Sequence, residues 1–223
     1  MALTLYFHPL ASFCQKVLIA LYENDTPFEP HIVDLANEAS AAEYLKLWPV
    51  GKMPLLRDDA KDRTIPETSI IIEYLARHYP SRTQLLPANA DLALEIRLRD
   101  RFYDLYVQEP MGKIVTDRIR PPGKSDPHGV EVAKTQLRTA YGLIEREMET
   151  RTWAAGDAFT MADCAAAPAL FYANLVLPFA DTHENVSAYF ARLTKRPSVA
   201  RVIAEARPYF SLFPVPTGGD IRP

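Results

Sequence analysis

The segment HPLASFCQKVLIALYE, from His8 to Glu23, joins a short turn to an apolar helix. Ser12 and Gln15 have the S-x-x-Q spacing of a capping box, so a helix is predicted to begin at Ser12. The same spacing places the Ser12 hydroxyl and the Cys14 thiol at a helix N-terminus, where the helix dipole stabilises a negatively charged sulfur. The segment therefore predicts a helix start and also a candidate site for thiol chemistry.

Short strands and helices alternate around this segment, from Leu3 to about Tyr79. Strands are predicted for LTLYF, FEPHIVDL, MPLLRD and RTIP, and helices for Ser12–Asn24, around Ala41–Leu47 and for ETSIIIEYLARHY. Their order is βαβαββα. This order predicts an α/β domain over residues 1–80.

The remainder of the chain has a different pattern. The periodicity is interrupted after Pro80, which indicates a linker over residues 81–90. From Asp91 onward only helical spacing remains, so residues 91–223 are predicted to form an all-helical domain. The predicted fold class is therefore α/β plus all-α.

The composition indicates a protein with its own hydrophobic core and no broadly charged surface. The chain has 223 residues, of which 48% are hydrophobic, and 25 basic and 28 acidic residues give a formal net charge of -3. This balance favours neither nucleic acid nor an anionic membrane as a partner. The two cysteines, Cys14 and Cys164, form no C-x-x-C pair and no metal-ligand spacing, so we expect neither a disulfide framework nor a metal site. There is no signal-like N-terminus and no apolar run of about 18 residues, so the sequence predicts a soluble cytoplasmic protein.

Two further motifs suit an extended or zwitterionic ligand. In VGKMPLL, Pro54 favours an extended Met53, whose N–H and C=O are then free for a ligand backbone. In IPETSIIIEYL, Thr68 is predicted to cap a helix whose free N–H groups suit a ligand carboxylate. Glu67 beside it can accept hydrogen bonds from a ligand ammonium, so this helix start suits an amino-acid head group. Each motif alone is also ordinary strand or helix design.

Together, these features resemble the cytosolic glutathione transferases over nearly the whole chain. That family couples a thioredoxin-like domain to a helical one and uses glutathione as a co-substrate. The resemblance implies a cis bond before Pro54, backbone pairing of Met53 with the cysteinyl unit of glutathione, and a grip on the γ-glutamyl head group by Glu67 and Thr68. Lys52 is implied to supply a cation for the glycyl carboxylate. No metal is implied.

The residue that acts on the glutathione thiol is the point at which the chain departs from the family pattern. In many serine-type members the catalytic hydroxyl stands six residues before the valine of the first helix, and that position, counted back from Val17, is Ala11. Ser12, one residue later, is therefore the first candidate to stabilise the thiolate, which is the nucleophilic form of a thiol. Cys14 is an alternative, and Tyr6 is another by analogy with tyrosine-type transferases.

The helical half carries a second signature and the candidate substrate pocket. GDAFTMADCAAAPAL resembles the family's folding signature, in which Thr160 caps a buried helix and Asp163 closes the capping box. Cys164 beside them is expected to be a small buried residue without chemistry. The side chains predicted to line an electrophile pocket, each also a candidate for plain core, are Phe13, Phe102, Tyr103, Tyr106, Met111, Phe210 and Phe213.

The leading functional hypothesis is conjugation of glutathione to an electrophilic, mostly apolar small molecule, as in detoxification. One alternative is a glutathione-dependent thiol transferase or reductase that uses Cys14 through a mixed disulfide. Another is a non-catalytic glutathione-binding member that has lost the donor at Ala11. The resemblance also implies a homodimer, in which Asp100 is a candidate to reach the partner subunit's ligand.

Overall fold

The computed structural model describes residues 2–214, so the last part of the predicted helical domain, residues 215–223, lies outside the described residues. The N-terminal part contains a four-stranded sheet in the order β2-β1-β3-β4. β1 and β2 are parallel, and the other two pairs are antiparallel. The elements are β1 (Leu3–Phe7), α1 (Ser12–Glu23), β2 (Glu29–Ile32), α2 (Glu38–Leu47), β3 (Leu55–Asp58), β4 (Arg63–Pro66) and α3 (Thr68–His78). The predicted βαβαββα order of a thioredoxin-like domain is confirmed.

The second part of the described chain is helical, as predicted. Helix α4 begins at Ala90, and the following segments pack around the long buried helix α7. The elements are α4 (Ala90–Phe102), a π-helical segment (Tyr103–Gln108), α5 (Glu109–Asp117), α6 (Pro127–Met148), α7 (Met161–Val176), α8 (Glu184–Thr194), α9 (Pro197–Ala206) and a 3-10 helix (Arg207–Leu212). Among residues 2–214, no helix combines the length and the apolar content needed to cross a membrane.

Helix α1 lies between the sheet and the helical part. Its residues from Cys14 to Leu21 are all buried, because one face packs against the sheet core and α3 while another packs against α7 and α9. Strand β1 contributes to the contact with the sheet core, because its alternate side chains, Leu3, Leu5 and Phe7, point into that core. Tyr6 points to the opposite face of the sheet, where it packs near Tyr44 of α2. A helix that is apolar on nearly every face therefore joins the two parts of the molecule.

The predicted helix caps at Ser12 and Thr68 are wrong by one position. Ala11 is the N-cap of α1, in an extended conformation, and Ser12 is the first helical residue. Likewise Glu67 is the N-cap of α3, and its carbonyl accepts the Ile71 N–H at 2.8 Å. A hydroxyl on the first helical residue does not occupy the capping position, which lies one residue earlier.

Helix α2 begins earlier than predicted. It starts at Glu38 because the side chain of Asn37 accepts the Ser40 N–H at 3.1 Å and caps the helix. An asparagine cap followed by a polar first turn carries little apolar periodicity, so the pattern located only the apolar end of this helix.

The segment from Ala90 to Asp117 is helical throughout, but it is not one uniform α-helix. Between α4 and α5 the backbone widens into a π-helix, in which the Glu109 N–H donates to the Asp104 carbonyl, five residues earlier. Pro110 supplies a physical reason, because it has no N–H to continue the usual pattern. The extra residue in this turn changes which side chains face the sheet domain.

Helix α7 begins with the capping box of Thr160 and Asp163. The Asp163 carboxylate accepts hydrogen bonds from Thr160 N–H at 2.8 Å, from Ala154 N–H at 2.9 Å and from Tyr189 O–H at 2.6 Å. Cys164, the next residue, is fully buried among alanines. The capping box thus ties the start of α7 to the preceding loop and to α8.

Candidate active site

A cavity of about 280 Å³ lies where the sheet domain meets the π-helical segment. Four parts of the chain supply its walls: the first turn of α1, the segment before β3, the first turn of α3, and the stretch from the end of α4 to α5. The lining residues are Phe13, Trp48, Lys52, Met53, Pro54, Glu67, Thr68, Arg101, Asp104, Leu105 and Glu109. The five residues that the sequence assigned to ligand binding, from 52 to 54 and at 67 and 68, are therefore brought to one place.

The segment before β3 presents its backbone to this cavity. The Met53–Pro54 bond is cis, as the resemblance implies. The Tyr44 hydroxyl, on α2, donates to the Lys52 carbonyl at 2.7 Å and holds the segment from behind. Within residues 2–214, the Met53 N–H and C=O take part in no backbone hydrogen bond. They are placed to pair with an extended ligand backbone.

The first turn of α3 forms the polar end of the cavity. Glu67 has a φ of 70°, the left-handed region that non-glycine residues rarely occupy. Such a conformation costs on the order of 1–3 kcal/mol and tends to occur at ligand sites. Thr68, which follows it, is buried, whereas the Glu67 side chain is exposed to the cavity. A carboxylate and the free N–H groups of a helix start are thus presented together.

The three candidates to act on a thiol lie in different surroundings. Ser12 is 9% exposed and is not itself a lining residue, but its neighbour Phe13 lines the cavity. Cys14 is fully buried, and burial raises the pKa of its thiol to about 12, so the reactive thiolate is disfavoured. Tyr6 packs against His31 on the other face of the sheet, with ring centroids 4.6 Å apart. Ser12 and Cys14 both flank the lining residue Phe13, but only Ser12 retains some exposure, and Tyr6 lies away from the cavity.

Most of the side chains predicted to line an electrophile pocket lie elsewhere. Tyr103 and Met111 are core residues, 1% and 4% exposed. The prediction that these two side chains line the pocket is therefore wrong. The physical reason is the π-helical turn, which places Asp104 and Leu105 on the cavity side instead. Phe210 stacks on Phe171. Phe13 lines the cavity, while Phe102 and Tyr106 line a separate apolar groove beside α6.

A buried ion network underlies the cavity, and the sequence analysis missed it. Lys16 Nζ, 1% exposed, lies 2.6 Å from Asp100 Oδ1 and 2.8 Å from Asp104 Oδ2. It also donates to Ser69 Oγ at 3.0 Å, and that hydroxyl donates to Asp100 Oδ2 at 2.6 Å. Arg101 pairs with both carboxylates from the solvent side. The available signal was a lysine inside an otherwise apolar helix, together with two aspartates four residues apart.

The network has an electrostatic consequence for the cavity wall. Burial raises the pKa of Asp104, and the neighbouring Lys16 opposes that effect. Asp100 is 1% exposed and pairs with Lys16 and Ser69, so within this chain its carboxylate is not presented at the surface. The wall formed by Asp104 is therefore held in place by a buried cation rather than by solvent.

Two family models match the chain in the order of its two parts. The model described as "Glutathione S-transferase, N-terminal domain" matches residues 5–83, and the one described as "Glutathione S-transferase, C-terminal domain" matches residues 106–197. Glutathione S-transferase 3 of Zea mays is 31% identical over 209 residues, which cover 91% of this chain and 93% of the maize protein. The chain belongs to the glutathione S-transferase family. Another relative in this family is glutathione S-transferase GstB of Escherichia coli K12, 25% identical over 202 residues, which cover 90% of this chain and 97% of GstB.

Solved glutathione transferases share the fold. The transferase URE2P8 from Phanerochaete chrysosporium, solved with oxidized glutathione, matches with a TM-score of 0.84 at 24% identity, over 94% of this chain and 97% of that chain. A glutathione S-transferase from Methylobacillus flagellatus, solved with glutathione bound, matches with a TM-score of 0.81 at 22% identity, over 90% of this chain and 98% of that chain. The glutathione S-transferase fold therefore extends over nearly the whole chain. No group of three or more His, Cys, Asp or Glu side chains suited to a metal ion occurs in the part of the chain from residue 2 to residue 214.

Proposed function

We propose that this family member binds glutathione in the cavity and conjugates it, as the thiolate, to an electrophilic and largely apolar small molecule. The observation that carries the proposal is the convergence of the Met53 backbone, the Glu67 carboxylate and the first turn of α3 on one cavity. These groups complement the three polar parts of a γ-glutamyl tripeptide. The relatives are named as glutathione S-transferases, and this supports the same function.

Each part of glutathione has a proposed partner. The Glu67 carboxylate receives the γ-glutamyl ammonium, and the N–H groups at the start of α3, with the Thr68 hydroxyl, receive the adjacent carboxylate. The Met53 backbone pairs with the cysteinyl unit, and Pro54 shapes the chain beside it. Lys52, an exposed residue of the cavity lining, receives the glycyl carboxylate. This arrangement leaves the thiol toward the first turn of α1.

Ser12 is the proposed donor to the thiolate. A hydroxyl hydrogen bond and the positive end of the α1 dipole both favour the anion over the thiol. The full burial of Cys14 and its raised pKa argue against a mixed disulfide at that residue. The second candidate function is glutathione binding without conjugation, and the observation that favours it is the alanine at position 11, where many serine-type members carry the hydroxyl.

The proposed electrophile site lies beside Phe13 and Leu105. Leu105 projects from the π-helical segment into the same cavity, and Trp48 adds a further aromatic surface. These side chains supply the apolar wall that a small hydrophobic electrophile requires. The charged residues at positions 101, 104 and 109 bound the other side of the cavity, so its wall is part apolar and part ionic.

We also propose a homodimer and a role in cytoplasmic detoxification. α3 and α4 expose large apolar side chains at Ile70, Leu94 and Leu98. Leu105, at the mouth of the cavity, is exposed as well. A second copy covering this face would remove apolar area from water next to the glutathione site.

The proposed domain division, with residues 1–80 for glutathione and the helical part for the electrophile, follows from the two sides of the cavity.

The function is tested with purified protein and two substrate types. We expect calorimetry to detect glutathione binding, and an aromatic halide to be conjugated faster than a mixed disulfide is reduced. Binding without either reaction would favour the non-catalytic member. Faster reduction of the disulfide would favour thiol transfer through Cys14.

Replacing Glu67 by alanine is expected to weaken glutathione binding by about 1–3 kcal/mol, because the ligand ammonium loses a charged hydrogen-bond partner. Calorimetric titration measures the change. Glu73→Ala is the matched control, since Glu73 lies on the same helix but pairs with Arg97 at 2.7 Å and does not line the cavity. Equal affinities for the two variants would remove Glu67 from the binding site.

Replacing Ser12 by alanine is expected to raise the pKa of bound glutathione and to slow conjugation near neutral pH, with partial recovery in alkaline solution. Glutathione affinity should change little, because the tripeptide's other contacts remain. Ultraviolet titration of the complex reports the thiolate. Cys14→Ser should spare conjugation, and Ala11→Ser should increase it by supplying the second hydroxyl. If Cys14→Ser lost conjugation while Ser12→Ala kept it, the chemistry would be assigned to the cysteine.

A further inference from the structure

The loop between β1 and α1, residues 8–11, is held by a side chain from the helical part. The Tyr172 hydroxyl, on α7, donates to the Leu10 carbonyl at 2.7 Å. Gln15 Nε2 donates to the same hydroxyl oxygen at 3.0 Å and to the Pro9 carbonyl at 2.9 Å. Two consecutive loop carbonyls therefore each have a buried side-chain partner, and the two partners are bonded to each other.

The other hydrogen bonds of this loop are local. The Leu10 N–H donates to His8 Nδ1 at 3.2 Å, and the Ala11 N–H donates to the His8 carbonyl at 3.0 Å. The Ala11 carbonyl accepts the Gln15 N–H at 3.0 Å and begins helix α1. These bonds set the shape of the turn. Tyr172, 162 residues away from Leu10, sets where that turn lies against α7.

The ring and the hydroxyl of Tyr172 have separable roles. The ring packs against Phe171 and Phe213, with centroids 5.1 and 5.4 Å away, and these contacts do not need the hydroxyl. Burial raises the pKa of Tyr172, so its hydroxyl stays protonated and remains a donor through the neutral range. A phenylalanine at this position would keep the packing and remove only the bonds to the loop and to Gln15.

We infer that Tyr172, acting with Gln15, is a positioning residue that fixes the loop so that Ser12 and the first-turn N–H groups of α1 face the glutathione thiol. The inference rests on the proposed function, since it assigns these groups to the thiolate. Ser12 follows directly after the loop, and hydrogen bonds weaken steeply when donor and acceptor move by a few tenths of an ångström or lose alignment. Displacement of the loop would therefore cost thiolate stabilisation while leaving the Glu67 and Met53 contacts intact.

The test compares Tyr172→Phe with Tyr141→Phe. Tyr141 is the matched control because it is also a buried tyrosine of the helical part, and its hydroxyl donates to the Leu177 carbonyl at 3.1 Å, away from the loop. For Tyr172→Phe we expect the pKa of bound glutathione to rise by about 0.5 to 1 and kcat near neutral pH to fall about three- to tenfold. Glutathione affinity should stay within about twofold. Tyr141→Phe should lower the melting temperature without changing the thiol pKa.

The titration must be read against the other ionisable groups near the thiol. His8 lies in the loop itself, and burial lowers its pKa, which favours the neutral imidazole. The ionisable side chains that line the cavity are Lys52, Glu67, Arg101, Asp104 and Glu109, and the Tyr172 substitution alters none of them. A second variant, Gln15→Met, removes the partner side chain. Its effect on the thiol pKa should be less than additive with that of Tyr172→Phe, because both act on one loop.

The outcomes separate this inference from the function on which it rests. Amide hydrogen exchange at residues 10–13 should be faster in Tyr172→Phe than in Tyr141→Phe. Faster exchange together with a raised thiol pKa supports the positioning role. An unchanged thiol pKa and kcat in Tyr172→Phe, beside a wild type that conjugates glutathione, overturns it and leaves the proposed function standing. A wild type that binds no glutathione overturns the proposed function first, before any variant is compared.

Discussion

Replacing Lys16 by methionine is expected to lower the free energy of unfolding by about 3–5 kcal/mol, a large part of the stability of an ordinary domain. Methionine fits the volume of the lysine stem, but the substitution leaves Asp100 and Asp104 buried without the cation that lies 2.6 and 2.8 Å from them. Removing one partner from a buried ion network is costly because the two carboxylates stay shielded from water and keep only Arg101 as a counter-ion. Chemical denaturation followed by circular dichroism measures the loss.

The control for Lys16 is Lys134→Met. Lys134 lies 2.6 Å from Glu131 on the surface of α6, the same separation as between Lys16 and Asp100, but both members of this pair are solvent-accessible. Exposed pairs contribute about 0–1 kcal/mol, so this variant should be nearly as stable as the wild type. Adding Asp104→Asn to Lys16→Met should recover part of the loss, because it leaves Arg101 with one buried carboxylate to neutralise instead of two. Equal stability of the two lysine variants would contradict the buried-network interpretation.

The Lys16 variant should also show a characteristic pH dependence. Burial already raises the pKa of Asp104, and Lys16 opposes this effect, so removing the lysine raises the pKa further. A carboxyl group whose pKa is higher in the folded state favours folding when it is protonated, and that contribution is lost as the pH rises through the folded value. The stability deficit of Lys16→Met should therefore shrink in acid and grow toward neutral pH. A deficit that is constant across this range would exclude Asp104 as its source.

Replacing Asp163 by alanine is expected to cost about 3–5 kcal/mol of stability. The carboxylate is fully buried and accepts hydrogen bonds from two backbone N–H groups and from the Tyr189 hydroxyl, besides the Thr160 hydroxyl at 3.1 Å. All four donors would be left without this acceptor inside the core. Thermal and denaturant unfolding should both show the loss.

Two substitutions calibrate the Asp163 result. Thr160→Ala removes one side-chain bond but keeps the N–H bond to Asp163, so it should cost only about 1 kcal/mol. Asp157→Ala removes an exposed carboxylate from the same loop and should be close to neutral. The glutathione dissociation constant of the folded fraction should be unchanged in all three variants, because none of these residues lines the cavity. Similar melting temperatures for Asp163→Ala and Asp157→Ala would contradict the capping role.

Local sequence patterns predicted the order of elements correctly. Strands such as LTLYF alternate because successive side chains point to opposite faces, and helices such as ETSIIIEYLARHY repeat because side chains three or four residues apart share one face. Both rules act within a few residues, so the βαβαββα order and the all-helical second half follow from sequence alone. The pattern also marked Met53, Pro54, Glu67 and Thr68, since each belongs to a short motif with local backbone chemistry, whereas Lys52 was assigned only through the resemblance to glutathione transferases.

Only the tertiary structure decided which of these groups meet and what surrounds them. The burial of Cys14, which disfavours its thiolate, depends on α1 being covered on one side by the sheet core and on the other by α7 and α9. The π-helical turn before Pro110 put Asp104 and Leu105, rather than Tyr103 and Met111, toward the cavity. Asp104, a carboxylate partner of Lys16, lies 88 residues away in the chain, and Tyr172, which binds the Leu10 carbonyl, lies 162 residues away. Burial and long-range hydrogen bonds depend on how the elements pack together, and local periodicity carries no information about that packing.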